Sequence, residues 1–505
     1  MIEGVRRAGD RALIVELGGL DEVMAFHARV TAEPLGQIDQ VAAARTVLLT
    51  FAGARDAERA AARVREVSLD AVPEGGRRTV ELEVVYDGED LDDVARLAGL
   101  SREAVVAAHA GTPWLAAFGG FAPGFCYLTG GDPRLTVPRR SAPRTAVPAG
   151  SVALAGEFSA VYPRASPGGW RLIGRTGAAL WDLDREPPAL LAPGDRVRFR
   201  PVREIVRGAE PQARRGPATA AGGLAVAAPG ILSLIEDEGR PGRADLGVTA
   251  SGAADARAAR EANRLVGNDR AAAVIECAGG GLAVTAEADH VVALAGADAA
   301  AAIDDRPVPH GAPFVVRRGE TLRLGFPTRG LRTCLAVRGG VDVPVVLGSR
   351  SADTLSGIGP APLRAGDRVA VGPPPRGAVA LPAAPADPAP DAPLRIVWGP
   401  RDDWFDAAGR DRLISQAWRV SPQSDRVGAR LEPADGAPLR PRDGDLPSEG
   451  MVAGAIQVPP SGEPVLFGAD HPVTGGYPVI AVVVHADLPR AAQLRPGDVV
   501  RFAEA

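Results

Sequence analysis

One β-rich pattern occurs twice in this chain and limits the folds open to it. Each copy has an apolar strand, then a Gly-Gly turn with an aromatic residue, then a Gly-Asp turn into a final strand. The copies are AGSVALAG (149–156), SPGGW (166–170) and APGDRVRF (192–199), then AGAIQVPP (453–460), TGGYP (474–478) and RPGDVVRF (495–502). With a weaker ending, RAGDRVAV (364–371), the sequence predicts two or three versions of one β module. Short β segments broken by Gly and Pro are typical of a closed β-barrel or a β-sandwich.

The N-terminal residues have a different periodicity, in which strands alternate with helices. The expected segments are strands at 11–17, 46–51 and 77–86 and helices at 20–32 and 55–67. The order β-α-β-α-β predicts a ferredoxin-like layer of helices on one sheet. Two short helices follow, one ending at Gly99 and one that begins after the N-cap Ser101 and closes at His109.

These patterns divide the 505 residues into four expected domains and two linkers. The expected fold class is mainly β with an α/β N-terminal part. The linkers are stretches rich in Pro and Ala. The boundaries are a ferredoxin-like domain at 1–88, a β-barrel at 89–204, a linker at 205–223, a β-barrel at 224–375, a linker at 376–393 and a further β-barrel at 394–505.

Composition argues against several functional classes. The net charge is -5 and no basic block is interleaved with aromatic residues, so we expect no nucleic-acid partner. The N-terminus lacks the apolar run of a signal peptide and no later stretch reaches transmembrane length, so we expect a cytoplasmic protein without membrane contact. The three cysteines and six histidines are scattered, so we expect neither a disulfide framework nor a metal site.

All 57 basic residues are arginine, because the sequence contains no lysine. The chain therefore carries no Walker-type phosphate lysine, no Schiff-base lysine and no biotinyl-lysine. Any phosphate or carboxylate must be held by arginine forks, backbone N–H groups or a metal.

The stretch GGFAPGFCYLTGG (119–131) combines paired glycines with a Pro-Gly turn and three aromatic residues. We interpret it as a surface loop in which Gly allows close backbone approach and Phe121, Phe125 and Tyr127 supply apolar surface. A tight turn whose aromatic residues only fill a β core is the alternative. The stretch has no counterpart in the second half and an arginine cluster follows it, which favours one wall of a ligand cleft. The cluster consists of Arg139, Arg140 and Arg144.

Long ordered motifs occur in both halves of the chain. In the first half they are GFAPGFCYL (120–128), PRRSAPRTAVPAGSVALAG (138–156) and SPGGWRLIGRT (166–176). In the second half they are GRPGRADLGVTASGAAD (239–255), EANRLVGN (261–268), VRGGVDVPVVLGSRS (337–351), SDRVGARLE (424–432) and SEGMVAGAIQVPP (448–460). The first set resembles the B subunit of prokaryotic ATP-dependent 5-oxoprolinase, the family that includes the kinase-inhibitor protein of sporulation. The second set resembles the C subunit of the same enzyme.

The resemblance implies a natural fusion of the B and C subunits, with cyclophilin-like β-barrels after the ferredoxin-like domain. It implies an ATP-dependent hydrolase of a cyclic amide, which converts 5-oxo-L-proline to L-glutamate with ATP and Mg. The implied partner is a separate A-like subunit, without which we expect no hydrolysis by this chain; a homo-oligomer is left open. Phosphorylating the lactam oxygen is a sensible use of ATP, because amide resonance makes this carbonyl a poor electrophile.

Polar and aromatic residues inside the matching motifs are candidates for this chemistry. Arginine forks bind phosphate or carboxylate, and carboxylates transfer protons. The candidate catalytic residues are Asp237, Arg240, Asp255, Glu276, Asp425 and Arg426. The candidate substrate- or nucleotide-binding residues are Phe121, Phe125, Tyr127, Arg139, Arg140, Arg144, Arg175, Asn263, Gln457, Asp470, Thr474 and Tyr477.

Several of these candidates have structural interpretations as well. Asp255 precedes a helix and is most simply its N-cap. Asn263 and Glu276 lie in apolar surroundings, where each could be a satisfied structural hydrogen-bond partner. Asp425 and Arg426 form a charged turn that fits either a salt-bridged loop or a substrate clamp.

The segment HPVTGGY (471–477) departs from the family's acid-x-x-Thr-Thr-Gly-Gly-Tyr pattern. Val473 stands where the resemblance leads us to expect the first Thr, while Thr474 is retained. One hydroxyl is missing, which puts a direct role for that position in doubt.

Two alternatives from other functional classes accompany the 5-oxoprolinase hypothesis. The first is a carboxyltransferase component acting on urea or an amide, which would need a separate biotin carrier because this chain lacks lysine. The second is a regulator that binds a histidine kinase, as the name of the B-like family suggests. Fold-level analogy alone does not decide among them.

Overall fold

The computed structural model describes residues 1–70, 78–140, 142, 144–205, 222–382 and 392–505. The described chain is mainly β and follows the expected order, an α/β layer and then three β units. Most of the two predicted linkers, residues 206–221 and 383–391, lies outside the described residues. No helix in the described part of the chain is long and apolar enough to cross a membrane.

The N-terminal layer is an antiparallel four-stranded sheet, ordered β1-β2-β4-β3, with two helices. Its elements are β1 (Ile2–Arg7), β2 (Ala12–Leu17), α1 (Leu20–Ala32), β3 (Asp39–Ala42), β4 (Thr46–Thr50) and α2 (Ala54–Arg63). The two helices and the central strands agree with the expectation from sequence. Two strands, β1 and β3, were not foreseen.

Both faces of this sheet are covered, which explains the four consecutive apolar residues that begin β2, residues 12–15. On one face, Val15 and Leu49 pack with α1 through Phe26. On the other face, Ile14 and Leu48 join a cluster that includes residues of the second half of the chain. The N-terminal sheet therefore lies between its own helices and the C-terminal half of the chain.

The second unit contains a seven-stranded sheet, ordered β12-β9-β10-β7-β6-β13-β5, and a separate β8-β11 pair. Its elements are β5 (Thr79–Val84), α3 (Leu91–Ala98), α4 (Arg102–Gly111), β6 (Trp114–Gly120), β7 (Ala122–Thr129), β8 (Arg144–Val147), β9 (Ser151–Ala155), β10 (Phe158–Val161), β11 (Ser166–Gly168), β12 (Arg171–Arg175) and β13 (Arg196–Pro201). The strand expected at 77–86 forms as β5, but it belongs to this sheet and not to the N-terminal layer, because it pairs in parallel with β13. That part of the β-α-β-α-β prediction was wrong.

The two short helices before the first barrel form as expected. The Ser101 hydroxyl accepts a hydrogen bond from the backbone N–H of Ala104 at 3.2 Å, which is the N-cap contact of α4. Gly99 ends α3 in the left-handed conformation, with φ 65°.

The aromatic stretch at 119–131 is mainly a β-hairpin, and the expectation of a surface loop was wrong for most of it. Strands β6 and β7 pair on either side of Phe121, which has φ 61° and is half-buried. Phe125 and Tyr127 are buried, and their ring centroids lie 5.6 and 5.5 Å from that of Trp170. These two residues fill the core, as the alternative interpretation stated, whereas Phe121 remains at the surface of the unit.

The third unit consists of two sheets with a shared apolar core. One sheet has the order β20-β19-β22-β17-β14-β24 and the other the order β15-β16-β23-β18-β21, with α5 packed on the second sheet. The elements are β14 (Leu224–Pro229), β15 (Leu232–Glu236), α5 (Ala256–Val266), β16 (Val274–Ala278), β17 (Leu282–Ala286), β18 (His290–Gly296), β19 (Ala302–Ile303), β20 (Arg306–Pro307), β21 (Pro313–Val316), β22 (Thr321–Arg323), β23 (Arg332–Val337) and β24 (Arg368–Val369).

The fourth unit has an eight-stranded sheet, ordered β33-β26-β27-β30-β29-β32-β25-β34, and a β28-β31 pair. Its elements are β25 (Leu394–Trp398), α6 (Ala407–Ser415), β26 (Trp418–Val420), β27 (Gly428–Pro433), β28 (Glu449–Gly450), β29 (Ala455–Gln457), β30 (Val465–Phe467), β31 (Thr474–Gly475), β32 (Val479–Val483), α7 (Leu488–Ala491), β33 (Val499–Val500) and β34 (Phe502–Glu504).

The second and fourth units confirm the internal repeat. In each, the strand after the Gly-Asp turn pairs in parallel with the first strand of the unit, β13 with β5 and β34 with β25. The indole N–H of Trp114 donates to the carbonyl of His109 and that of Trp418 donates to the carbonyl of Leu413, both at 3.0 Å. The weaker copy at 364–371 differs, since β24 pairs antiparallel with β14.

A buried histidine lies in the core of the second unit. His109 is fully buried, with Nδ1 2.8 Å from the Tyr86 hydroxyl and Nε2 2.9 Å from the Ser159 hydroxyl. Burial lowers the pKa of His109 to about 3. The neutral imidazole therefore stabilises the fold above pH 6.5, and this contribution is lost as the pH falls from 6.5 towards 3.

We expect His109→Leu to lower the free energy of unfolding at pH 7 and to flatten its pH dependence between pH 6 and 4. The slope should decrease by about 1.4 kcal/mol per pH unit, which corresponds to one proton taken up on unfolding. Urea titrations at several pH values measure both effects. Tyr86→Phe is the matched control, because it removes the hydroxyl contact and keeps the buried imidazole. It should retain the wild-type dependence of the unfolding free energy on pH. The same dependence in all three proteins would contradict a lowered pKa of His109.

Candidate functional site

Arg426 occupies a buried ion cluster that joins the third and fourth units. Its Nε donates to Asp470 Oδ2 at 2.9 Å and its Nη1 to Glu276 Oε1 at 2.5 Å. Its Nη2 lies 3.2 Å from Glu236 Oε1. Burial opposes the charged guanidinium, but the three carboxylates outweigh burial and raise the pKa of Arg426. Arg426 is therefore a salt-bridged residue inside the protein and not an exposed substrate clamp.

The carboxylates of this cluster are held by neighbouring loops. Asp470 also accepts from the Ser251 hydroxyl at 2.6 Å and from the backbone and side chain of Thr354 at 2.9 and 2.7 Å. Glu276 accepts from the backbone N–H of Ala254 at 2.8 Å. Burial raises the pKa of Glu236 well above its usual range, although Arg426 acts against that shift. The cluster thus ties the segments near residues 251–254 and 354 to the fourth unit.

Two predicted catalytic residues near the glycine turn at 237–240 are held by one segment, residues 349–351. The Asp237 carboxylate accepts from the hydroxyls of Ser349 and Ser351 at 2.5 and 2.6 Å and from the backbone of Arg350 at 2.6 Å. Arg240 is buried and donates to the carbonyl of Ser351, while its Nε and Nη1 have no hydrogen-bond partner. Burial lowers the pKa of Arg240, and the charge of Asp353 acts in the opposite direction.

Three other predicted residues have structural contacts. Asp255 is the N-cap of α5, since its carboxylate accepts from the backbone of Ala258 at 2.8 Å and from Gln493 at 2.7 Å. Asn263 donates to the carbonyl of Ala272 at 2.7 Å. Asp425 is exposed and caps its own turn through the backbone N–H of residues 427 and 428 at 2.9 and 3.1 Å.

The arginines predicted in the first half are mostly engaged by acids of their own unit. Arg140 and Arg144 both contact Asp90, at 2.6 and 2.9 Å, and Arg175 pairs with Asp87 at 2.8 Å. Arg139 is exposed, and its charge lowers the pKa of Tyr127, which burial raises. The expected arginine cluster therefore does not form one free anion site.

The corner of the aromatic hairpin lies against the second half of the chain. The backbone N–H of Phe121 donates to the Thr474 hydroxyl at 3.0 Å. A Cβ added at Gly119 would lie 2.3 Å from the carbonyl oxygen of Asp245, and one at Gly247, where φ is 76°, would lie 2.3 Å from that of Ala122. The absence of a side chain at these two positions permits the close backbone approach. In the same region, Gln457 donates to the Tyr477 carbonyl at 3.1 Å, and the Tyr477 side chain is exposed.

A cleft with about 210 Å³ of empty volume lies at this junction between the two halves. Its walls come from the loops of both halves, and its polar side chains were not predicted. The lining residues are Phe121, Pro123, Arg164, Gly247, Thr249, Asp353, Leu355, Ser356, His471 and Val473. Of the residues predicted to bind substrate or nucleotide, Phe121 alone is among these lining residues. Asp470 and Thr474 are next in sequence to the lining residues His471 and Val473 but do not line the cleft themselves.

Burial and hydrogen bonding define the state of the cleft's polar groups. Asp353 accepts from the backbone of Leu355 and Ser356 at 2.9 and 3.0 Å and also from the Ser356 hydroxyl, and burial raises its pKa. His471 Nδ1 lies 2.9 Å from the Pro472 carbonyl, and burial lowers the pKa of His471. The imidazole is therefore neutral with Nδ1 as donor, which leaves a lone pair on Nε2.

Sequence analysis missed Arg164, Thr249, Asp353 and His471. The segments quoted above contain Thr249 and His471 and lie close to Arg164 and Asp353, but residue type alone does not indicate which motif residues meet across an interface. Val473, which replaces an expected Thr, lines the cleft and packs in the apolar cluster shared with the N-terminal layer.

The chain therefore consists of two halves that meet at a junction cleft lined by residues of both. Residues 4–191 match the family described as carboxyltransferase domain, subdomain C and D, and residues 246–504 match carboxyltransferase domain, subdomain A and B. The chain belongs to the carboxyltransferase-domain family. The solved structure of TTHA0988 is similar over 98% of this chain and 100% of that one, with 37% identity and a TM-score of 0.87.

Curated relatives match the two halves separately. The C subunit of 5-oxoprolinase from Escherichia coli is 37% identical over 287 residues, which cover 54% of this chain and 89% of that protein. The B subunit of 5-oxoprolinase from Bacillus subtilis is 45% identical over 140 residues, which cover 27% of this chain and 58% of that protein. The resemblance drawn from the sequence motifs is confirmed for both halves.

We expect Arg426→Met to destabilise the chain strongly, because the buried carboxylates of Glu276 and Asp470 would lose their counter-charge. The free energy of unfolding should fall by about 3–5 kcal/mol. Urea unfolding followed by tryptophan fluorescence measures this change. Arg430→Met, at an exposed position two residues into β27, should change the free energy by at most about 0.5 kcal/mol; equal effects would show that the cluster is not buried as described.

We expect Gly119→Ala to disturb the junction between the halves, because the new methyl group would meet the Asp245 carbonyl oxygen. Overpacking of this kind costs about 1–3 kcal/mol. Gly111→Ala is the control, since nothing lies within 4 Å of an added Cβ there. Thermal unfolding of the two variants should differ clearly, and an unchanged Gly119→Ala midpoint would refute the close approach.

Proposed function

We propose that this chain is the fused BC component of an ATP-dependent 5-oxoprolinase. Together with a separate A-like subunit it opens the lactam ring of 5-oxo-L-proline to give L-glutamate. The observation that carries this proposal is that the two halves are similar to two different subunits of one enzyme. The junction cleft, whose walls come from both halves, supports the proposal further, because fusion of the two subunits keeps both walls on one chain.

The residues of the cleft suit a small polar ring. Phe121 and Val473 supply apolar surface, and the neutral His471 offers a hydrogen-bond acceptor for a lactam N–H. In the reaction the lactam C–N bond breaks, water supplies the new carboxylate oxygen, and the ring nitrogen gains a proton.

The described residues contain no preformed cage for a metal ion. Among them, no group of three or more His, Cys, Asp or Glu side chains is arranged to hold a metal ion. The cleft presents one carboxylate, Asp353, whose oxygens already accept three hydrogen bonds. In this proposal, phosphoryl transfer takes place in the complex with the A-like subunit.

The buried candidates act in this proposal as positioning residues. Asp470 binds Thr354 next to Asp353 and Leu355, and it precedes His471. Arg426 and Glu276 fix Asp470 from the interior. Their contribution is to hold two cleft loops at a constant distance, since none of the three lines the cleft.

The second candidate is a carboxyltransferase component for urea or an amide, which the description of the matching family favours. It would need a biotin carrier on another chain, because this sequence has no lysine. Urea carries no carboxylate, so a cleft lined by an arginine, Arg164, suits the lactam acid better.

Reconstitution tests the proposal directly. We expect the chain alone to release no glutamate from 5-oxo-L-proline, and the chain with a purified A-like subunit to release glutamate only when ATP and Mg²⁺ are present. Glutamate is measured by an enzyme-coupled assay, with the A-like subunit alone as the control. Absence of glutamate together with carboxyl transfer from a biotinylated carrier to urea would replace this function by the second candidate.

A further inference from the structure

Glu236 is a carboxyl group inside the protein whose oxygens receive no hydrogen bond. It is the last residue of β15 and is 0% exposed. Among the described residues, neither Oε1 nor Oε2 has a hydrogen-bond partner. Arg426 Nη2 lies 3.2 Å from Oε1 as an ion-pair contact, but it donates its hydrogen bond to the carbonyl of Gly252. An ionised carboxylate is costly in such surroundings, because burial removes its water and no donor replaces it.

The other two carboxylates of the ion cluster are well supplied with donors. Asp470 accepts from Arg426 Nε, from two hydroxyls and from a backbone N–H. Glu276 accepts from Arg426 Nη1 and from a backbone N–H. Hydrogen bonds of this kind favour the ionised form of a carboxyl group. If the cluster retains one proton, Glu236 is therefore the acid that holds it.

The charges around Glu236 contain more acids than bases. Three carboxylates, including its own, surround the Arg426 guanidinium. Arg332 offsets part of this excess, with its Nε 3.5 Å from Glu276 Oε1. Arg240 does not complete the balance, because two further carboxylates act on it as well. The charged and titratable groups that face Glu236 are Arg240, Glu276, Cys334, Arg426 and Asp470.

The Ser351 hydroxyl lies next to Glu236 and has room for one more hydrogen bond. It donates to Asp237 Oδ1 at 2.6 Å and accepts from the backbone N–H of Asp237 at 2.8 Å. A hydroxyl has one hydrogen and two lone pairs, so one lone pair remains for the O–H of a protonated carboxyl group. The same segment continues into the cleft at Asp353. The protonation state of Glu236 therefore reaches the cleft through residues 349–353.

We propose that Glu236 holds a proton in the folded chain at neutral pH and that this proton is a pH-sensitive switch of the junction between the third and fourth units. The protonated carboxyl group donates its O–H to the Ser351 oxygen. When the proton is lost to solvent at alkaline pH, the ionised carboxylate competes for the donors that now serve Gly252 and Asp237. The contact of Arg426 with the third unit and the position of residues 349–351 then change together.

Unfolding at several pH values tests where the proton lies. Burial raises the pKa of Glu236, so the folded chain keeps a proton that the unfolded chain releases above pH 4.5. The resulting stability is fully present below pH 4.5 and is lost as the pH rises through the folded pKa. We expect the folding equilibrium constant of the wild type, divided by that of Glu236→Gln, to fall about tenfold per pH unit from pH 5 upwards. Urea titrations measure both constants.

The histidines and cysteines titrate in both proteins, so their contributions cancel in this ratio. Glu432→Gln is the matched control, because it removes an exposed carboxylate of β27, and its ratio to the wild type should not change between pH 5 and 8. Glu236→Met supplies a second neutral side chain of similar length. A ratio for Glu236→Gln that is independent of pH would overturn the proposal. Failure of both neutral variants to fold would also overturn it, since a protonated acid needs no counter-charge.

Infrared difference spectra supply a direct readout of the proton. At pH 7 the wild type should show the carbonyl stretch of a protonated carboxylic acid that Glu236→Gln lacks, and Glu432→Gln should retain it. Raising the pH until this band disappears should increase amide hydrogen exchange in residues 349–351, after correction for the intrinsic rate, in the wild type and not in Glu236→Gln. Absence of the band at pH 7 would overturn the protonated state. A band that persists until the chain unfolds, or exchange that rises equally in both proteins, would overturn the switch.

Discussion

The junction of the third and fourth units depends on one buried cation, Arg426. Arg426 pairs with Glu276 of the third unit and with Asp470 of its own, in a region from which water is excluded. Carboxylates in such surroundings remain charged only if a counter-charge lies within contact distance, so the two units cannot separate without exposing unpaired acids. Because Asp470 also binds Thr354, the cation fixes the loops that line the cleft. Arg426 therefore affects the cleft indirectly, through Asp470 and Thr354, without lining it.

The junction between the halves adds a second constraint, which is steric. Gly119 and Gly247 let backbones meet where any side chain would collide with a carbonyl oxygen. The N-terminal layer is also tied to the second half by charge, since Arg401 of the fourth unit contacts both Glu16 and Glu449. The cleft is the gap that these contacts leave open. Arg164 and Thr249 line it from different halves of the chain.

This arrangement separates residues that hold the site from residues that meet a ligand. Asp237, Asp255, Asn263 and Arg426 have their hydrogen bonds satisfied inside the protein. Arg164 and Thr249 do not. In a protein interior, an unsatisfied polar group is costly unless a water or a ligand completes it, so these two residues are the ones that await a partner from outside the chain.

The sequence by itself determined the mainly β class, the repeated barrel, the helix caps at Ser101 and Asp255 and the two-subunit resemblance. These features depend on local periodicity and on contiguous motifs, which are present in the linear chain. Only the tertiary structure decided that the strand at 79–84 joins the barrel, that Phe125 and Tyr127 fill a core, and that Arg164 and Thr249 line one cleft. Such outcomes depend on which surfaces pack together across residues far apart in the sequence, and no local pattern encodes that packing.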